Sequence, residues 1–143
     1  MSYNTEGIIT GITVTAANID ERESLWEVVD GIQGLLIADK GLIGADFQQE
    51  FNQTTGIQLQ TAVRSNMKET RSDAALKWLV STRRLVETVI GQLTDRLNIE
   101  KVRARKLWTF TNRIARKVLS HTVCIFINKL LGNEPLLFDS LRP

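Results

Sequence analysis

The sequence is short of the residues that sulfur-, imidazole- and metal-based sites need. Its 143 residues include one cysteine and one histidine. A single cysteine cannot form an internal disulfide framework, and one of each excludes a zinc site of the His/Cys kind. Any nucleophilic device that needs a histidine would rest on His121 alone. Two prolines and nine glycines exclude a collagenous or low-complexity chain. No apolar run approaches the ~20 residues of a membrane span. The opening Met1–Ile9 lacks the basic start and apolar stretch of a signal peptide, so a soluble cytoplasmic protein is expected. What is present is ordinary for a globular chain: 43% hydrophobic and 24% charged residues, with length for one domain and a core.

The net charge of +2 hides an uneven distribution. Lys101, Arg103, Arg105, Lys106, Arg113, Arg116 and Lys117 follow one another with no acid among them, whereas Asp20, Glu21, Glu23, Glu27 and Asp30 cluster near the start. Such asymmetry points the C-terminal half at a polyanion; a solvated basic helix face is the plainer reading.

Ile8–Thr15 is rich in β-branched residues and reads as a strand, with Ser2-Tyr3 as the stub of another beyond the turn Asn4–Gly7. Asp20 followed by Glu23 fits a capping box opening a helix whose apolar face is Leu25, Val28 and Val29. Leu35-Leu36-Ile37-Ala38 reads as a strand covered on both faces, ending at Asp39-Lys40-Gly41. A short helix over Ala45–Phe51, a strand over Ile57–Val63 and a polar loop at Arg64–Lys68 follow. From Ser72 the period is helical through Leu76, Leu79, Val80, Val86, Ile90, Leu93 and Leu97. A second helix spans Trp108–Leu130, with Leu107, Thr111, Ile114, Val118 and Ile125 as its apolar stripe. Asn133-Glu134-Pro135 ends helical order and 133–143 reads as a tail. The class is α/β with long C-terminal helices. Three visible strands make a thin sheet for so much helix, so strands are expected to be missing from the front or supplied by a partner.

Two carboxylates stand out by position. Asp39 lies where an apolar strand exits, and Glu87 lies mid-helix with Arg83 and Arg84 on its face. If that helix packs across the sheet edge, the acids meet; paired carboxylates suit magnesium, and the arginines suit a phosphate. A turn aspartate and a surface Arg83–Glu87 helix pair are the structural alternatives.

Several spaced blocks extend this reading. Leu36–Gly41, Arg64–Lys68, Arg83–Leu93 and Asn98–Arg105, with Thr15–Arg22 ahead of them, closely resemble bacterial insertion-sequence transposases of the DDE type. The resemblance covers nearly the whole chain in the expected order. It implies an RNase H-like catalytic core, DNA as partner, and Mg2+ or Mn2+ as cofactor. Asp39 matches the second acidic position and Glu87 the third; Arg83 matches the basic position preceding the catalytic Glu. Val80 and Thr94 depart from the Tyr and Lys that related signatures often carry. The strand with the first Asp has no counterpart; Asp20 and Asp30 do not match it. The expectation is therefore the C-terminal part of a transposase, with residues 1–132 as an N-terminally incomplete catalytic domain. Alone it would show little cleavage or strand transfer, because a hard cation needs several fixed oxygens.

On a helical wheel Arg103, Lys106, Phe110, Arg113 and Lys117 form one basic stripe for phosphates, opposite much of the Leu107, Ile114 and Val118 face. Lys40, Arg64, Lys68 and Arg84 are further DNA-binding candidates; solvent-facing positions are the alternative for Lys40, Arg64 and Lys68. Trp108 reads as a core aromatic, with stacking on an unpaired base as the other reading. His121 is expected as a hydrogen-bonded packing residue and Cys124 as buried and inert. Against the enzyme stands a non-catalytic DNA-binding or inhibitory fragment that pairs with full-length transposase; a homo-oligomer is the other partner considered.

Overall fold

The computed structural model describes residues 1–42, 44–61 and 71–141. The chain divides into two compact units: residues 15–82, and residues 1–14 together with 83–143.

Within residues 15–82, helix α1 (Glu21–Val28) starts at Asp20, whose extended backbone lets its carboxylate accept the Arg22 N–H at 2.8 Å. This is the Asp half of the expected capping arrangement, and Glu21 and Glu23 in the first turn suit the helix dipole. Strand β3 (Leu35–Ala38) is joined through helix α2 (Ala45–Thr55) to strand β4 (Gln58–Thr61), with which it pairs in parallel from Leu35↔Gln58 to Ala38↔Thr61. A helical crossover is what parallel pairing requires. Helix α2 runs four residues past the expected Phe51 because Gly56, at φ +71°, closes it by donating to the Asn52 carbonyl at 2.8 Å.

The core of this unit is Leu25, Val28 and Val29 from α1 and its end, Phe51 from α2, and Ile57 and Leu59 around β4. Trp26 seals it against Phe51 and Phe47, with ring centroids 4.9 and 6.2 Å away. The expectation that Leu35–Ala38 is covered on both faces is corrected. Leu36 and Ala38 pack on the core, while Leu35, on the alternate face, is exposed. A strand alternates its side chains, and on the second face Leu35 is exposed and Ile37 only half-buried, so that face is incompletely covered.

In the other unit, strands β1 (Ser2–Tyr3) and β2 (Ile9–Gly11) form an antiparallel pair around the expected turn. The Asn4 carboxamide oxygen accepts from the Glu6 and Ile8 N–H groups, each at 3.0 Å. Strand β2 is shorter than Ile8–Thr15 because its partner offers only two residues to the ladder. It pairs with β1 rather than with β3, so the described strands form two two-stranded sheets, not one of three.

Helix α3 (Asp73–Gly91) passes into a π-helical turn at Gln92–Arg96, and helix α4 (Leu107–Leu130) follows. Val89, Leu93, Ile114, Ile125 and Phe138 are buried in this unit. Leu107 and Thr111, expected on the core stripe of α4, are exposed, as are Val80 and Ile90 of α3. Residues expected as a tail fold back: a 3₁₀ turn at Phe138–Leu141 packs on α4. Buried Asn128 donates to the Pro135 and Leu137 carbonyls at 3.1 Å each and accepts from Ser140 Oγ at 2.8 Å.

His121 is fully buried, as a packing residue should be. The Gln92 amide donates to the Leu136 carbonyl at 2.6 Å, so its oxygen accepts the His121 Nε2 proton at 2.9 Å. Nδ1 then carries the lone pair, with no hydrogen-bond partner among the described residues. Burial pushes the imidazole below its ordinary range, so the folded state holds it neutral. Between pH 6.5 and the lowered native value, the unfolded chain binds a proton that the native chain refuses. This part of the stability is complete above that window and is lost as pH falls through it. Urea midpoints measured across the window should decline on acidification, and His121→Gln should flatten the decline; equal slopes for both proteins would remove His121 as its source.

Candidate functional site

Asp39 leaves the C-terminal end of β3, where parallel sheets present functional groups, and its side chain is exposed. Its carbonyl accepts the Leu42 N–H at 3.1 Å, tightening a 3₁₀ turn opened by Lys40. Gly41 brings that turn close to Glu21: a Cβ there would lie 2.6 Å from a carboxylate oxygen of Glu21, whose flexible side chain would have to move aside. Glu21 thus stands against the Asp39 turn, an acid that sequence reasoning used only as part of a charge cluster.

Glu87 lies in the last three turns of α3, exposed, with Oε1 at 3.4 Å from Arg83 Nε. The i,i+4 pair is on a wet surface, where it stabilises the helix by a few tenths of a kcal/mol, ~0.3–0.5. Its consequence is therefore orientation of the carboxylate rather than stability. Arg84 is exposed on the same helix, and its carbonyl accepts from Thr88 Oγ1 at 2.9 Å. Arg64 and Lys68 lie outside the described residues. No group of three or more Asp, Glu, His or Cys side chains among the described residues is placed to hold a metal ion.

The basic segment is organised differently from a single helical stripe. Arg103 is not on α4: residues 99–101 form a 3₁₀ turn, Val102 is extended, and Lys106 is the N-cap. Instead the segment folds back on the helix. Arg113 Nη1 donates to the Arg103 carbonyl, and Lys117 Nζ donates to the Leu97 carbonyl. The result is a cleft of about 360 Å³ lined by Lys101, Val102, Arg103, Arg113, Arg116 and Lys117. Five of its six lining residues are cations and none is an acid. Two of the five serve as braces on backbone carbonyls, while Lys101, Arg103 and Arg116 are exposed and have no ion pair among the described residues. Uncompensated like charges repel, so the arrangement favours a polyanion.

A larger hollow, about 480 Å³, lies between the π-helical turn and the Phe138–Leu141 turn. Its arginine is already committed, with Arg96 Nη2 2.9 Å from Asp139 Oδ1. The smaller cleft is thus the stronger anion site. Sequence reasoning selected Arg103, Arg113 and Lys117 but left Lys101 and Arg116 out of the site; the acid-free run from Lys101 to Lys117 was the signal that could have included them. Lys106 is exposed beside the cleft and does not line it. Trp108, expected in the core, is 78% exposed, and Cys124 is half-buried rather than enclosed.

Residues 1–107 match a family model described as a transposase DDE domain. The match takes in Asp39, Arg83 and Glu87 and ends where α4 begins. No curated protein and no solved structure matches the chain.

Proposed function

Because the chain belongs to the transposase DDE domain family, and so has a role in DNA transposition, we propose that it supplies a DNA-holding and partly catalytic portion of an RNase H-like insertion-sequence transposase. In this reading Asp39 and Glu87 are two carboxylates of a divalent-ion site, Arg83 orients Glu87, and another polypeptide segment provides the remaining acid. Domains of this family generally use a divalent metal. Bound magnesium or manganese would supply Lewis-acid activation of a phosphodiester. The observation that carries the reading is the family match over the segment in which an exposed aspartate leaves a parallel strand.

The chain's own residues then have separable tasks. Lys101, Arg103 and Arg116 neutralise backbone phosphates and Arg113 and Lys117 hold the cleft in shape, while Lys40, Arg64, Lys68, Arg84 and Lys106 are further candidates for phosphate contact. Phosphate contact of this kind positions DNA without reading its sequence. A second reading for the chain on its own is a non-catalytic DNA-binding or inhibitory fragment that occupies element ends; the acid-free cleft of Lys101, Arg103, Arg113, Arg116 and Lys117 supports it.

An end-labelled duplex carrying an inverted-repeat terminus tests the first reading. The chain alone, with Mg2+ or Mn2+, should bind it and leave it uncut. Addition of an upstream segment bearing an aspartate-containing strand should restore metal-dependent nicking, and Asp39→Asn or Glu87→Gln should abolish it. Cleavage by the chain alone, or nicking that survives both substitutions, would refute the assignment.

A further inference from the structure

Residues 133–141 lie as a strap along α4, and the chain's one histidine sits beneath it. Buried Phe138 places its ring centroid 5.1 Å from that of His121. Leu136 reaches further: a Cβ at Gly7 would lie 2.9 Å from its Cδ2, so the strap also packs on the turn between β1 and β2. Gln92 joins ring to strap. Its amide oxygen accepts from His121 Nε2 at 2.9 Å while its nitrogen donates to the Leu136 carbonyl at 2.6 Å.

We propose that His121 is the catch of this strap: a second proton on its ring releases residues 133–141 from α4 while the helices stay folded. The pocket is built for the neutral ring. The Nε2 proton is spent on Gln92, and Nδ1 is buried with no hydrogen-bond partner among the described residues. A proton added at Nδ1 creates a buried cation whose new N–H has no acceptor, and such a group is far more stable in water. Phe138 presents only a tilted ring, at 57°, which is a poorer partner for that cation than water.

The strap is the element that gives way. Its own backbone bonds are short-range, Leu137 to Glu134, Phe138 to Leu136 and Ser140 to Leu137, whereas α4 is a 24-residue helix. Nor does any neighbouring charge compensate the imidazolium. The π-helical turn brings Asp95 and Arg96, the strap Glu134 and Asp139, α3 Glu87, and the hairpin turn Glu6, all of them exposed. On α4 itself Lys117 is bonded to the Leu97 carbonyl, Cys124 is half-buried, and Lys129 pairs with Glu6. None of these groups bonds to the ring among the described residues.

Amide exchange followed by NMR on the full chain, corrected for intrinsic rates, reads strap and helix separately. Because the chain has one histidine, its ring proton resonance reports the charge of His121 without any substitution. The Leu137, Phe138 and Ser140 amides should be at least about tenfold less protected than the buried amides of α4. Below pH 6.5 their protection should fall by about tenfold per pH unit, down to the midpoint of the His121 titration. His121→Gln, whose amide still donates to Gln92, should abolish that dependence. Arg96→Gln, which removes the ion pair to Asp139, should leave it in place. Equal protection of strap and α4 at every pH would show a single global opening and overturn the proposal. So would strap protection that ignores the His121 titration, a pH dependence that survives His121→Gln, or one that disappears in Arg96→Gln.

Discussion

Replacing Arg103 and Arg116 together by glutamate is expected to weaken binding to duplex DNA by about a hundredfold near 0.1 M salt. Each phosphate neutralised by a cation releases counterions, so the log–log dependence of affinity on salt should also flatten, by about one unit per lost contact or about two in all. The pair is chosen because both side chains are exposed in the cleft and carry no ion pair among the described residues. Arg113 and Lys117 are poorer probes. Each donates to a backbone carbonyl, of Arg103 and Leu97 respectively, so their removal would disturb the segment that builds the cleft. Fluorescence anisotropy across a salt series reads affinity and slope together. An unchanged slope in the double variant would take the cleft out of DNA binding.

The same region shows where sequence reasoning succeeds and where it stops. The run from Lys101 to Lys117 contains seven cations and no acid, and that was enough to expect a polyanion surface. Its shape was not legible. The cleft depends on two side chains bonding to carbonyls 10 and 20 residues away, a non-local event that helical spacing cannot foresee. Local features were legible. Asp20 caps α1 as its position before the apolar face implies, and Leu35–Ala38 is a strand that delivers Asp39 to an exposed turn.

Strand partners were not legible. Period-two alternation says that a segment pairs but not with what, and β2 joins β1 rather than β3. The misplacement of Trp108 has a comparable cause. With apolar residues on both sides of α4, periodicity alone cannot choose the buried face. The choice is made by Gln92, Leu136 and Phe138, which meet the His121 side of the helix.

The functional reading depends on the carboxylates of Asp39 and Glu87 serving one divalent ion. A soft-ion exchange reads this without any dependence on turnover. In a Cys124→Ser background, Asp39→Cys and Glu87→Cys convert both candidate ligands to thiols, and thiolates select soft, thiophilic ions. Cd2+ titrated against the thiolate absorption band of the full chain should then bind the double variant about a hundredfold more tightly than either single variant, because two converging thiolates share one ion. An affinity in the double variant no greater than that of the singles would place the two positions too far apart to share a metal and would contradict the assignment.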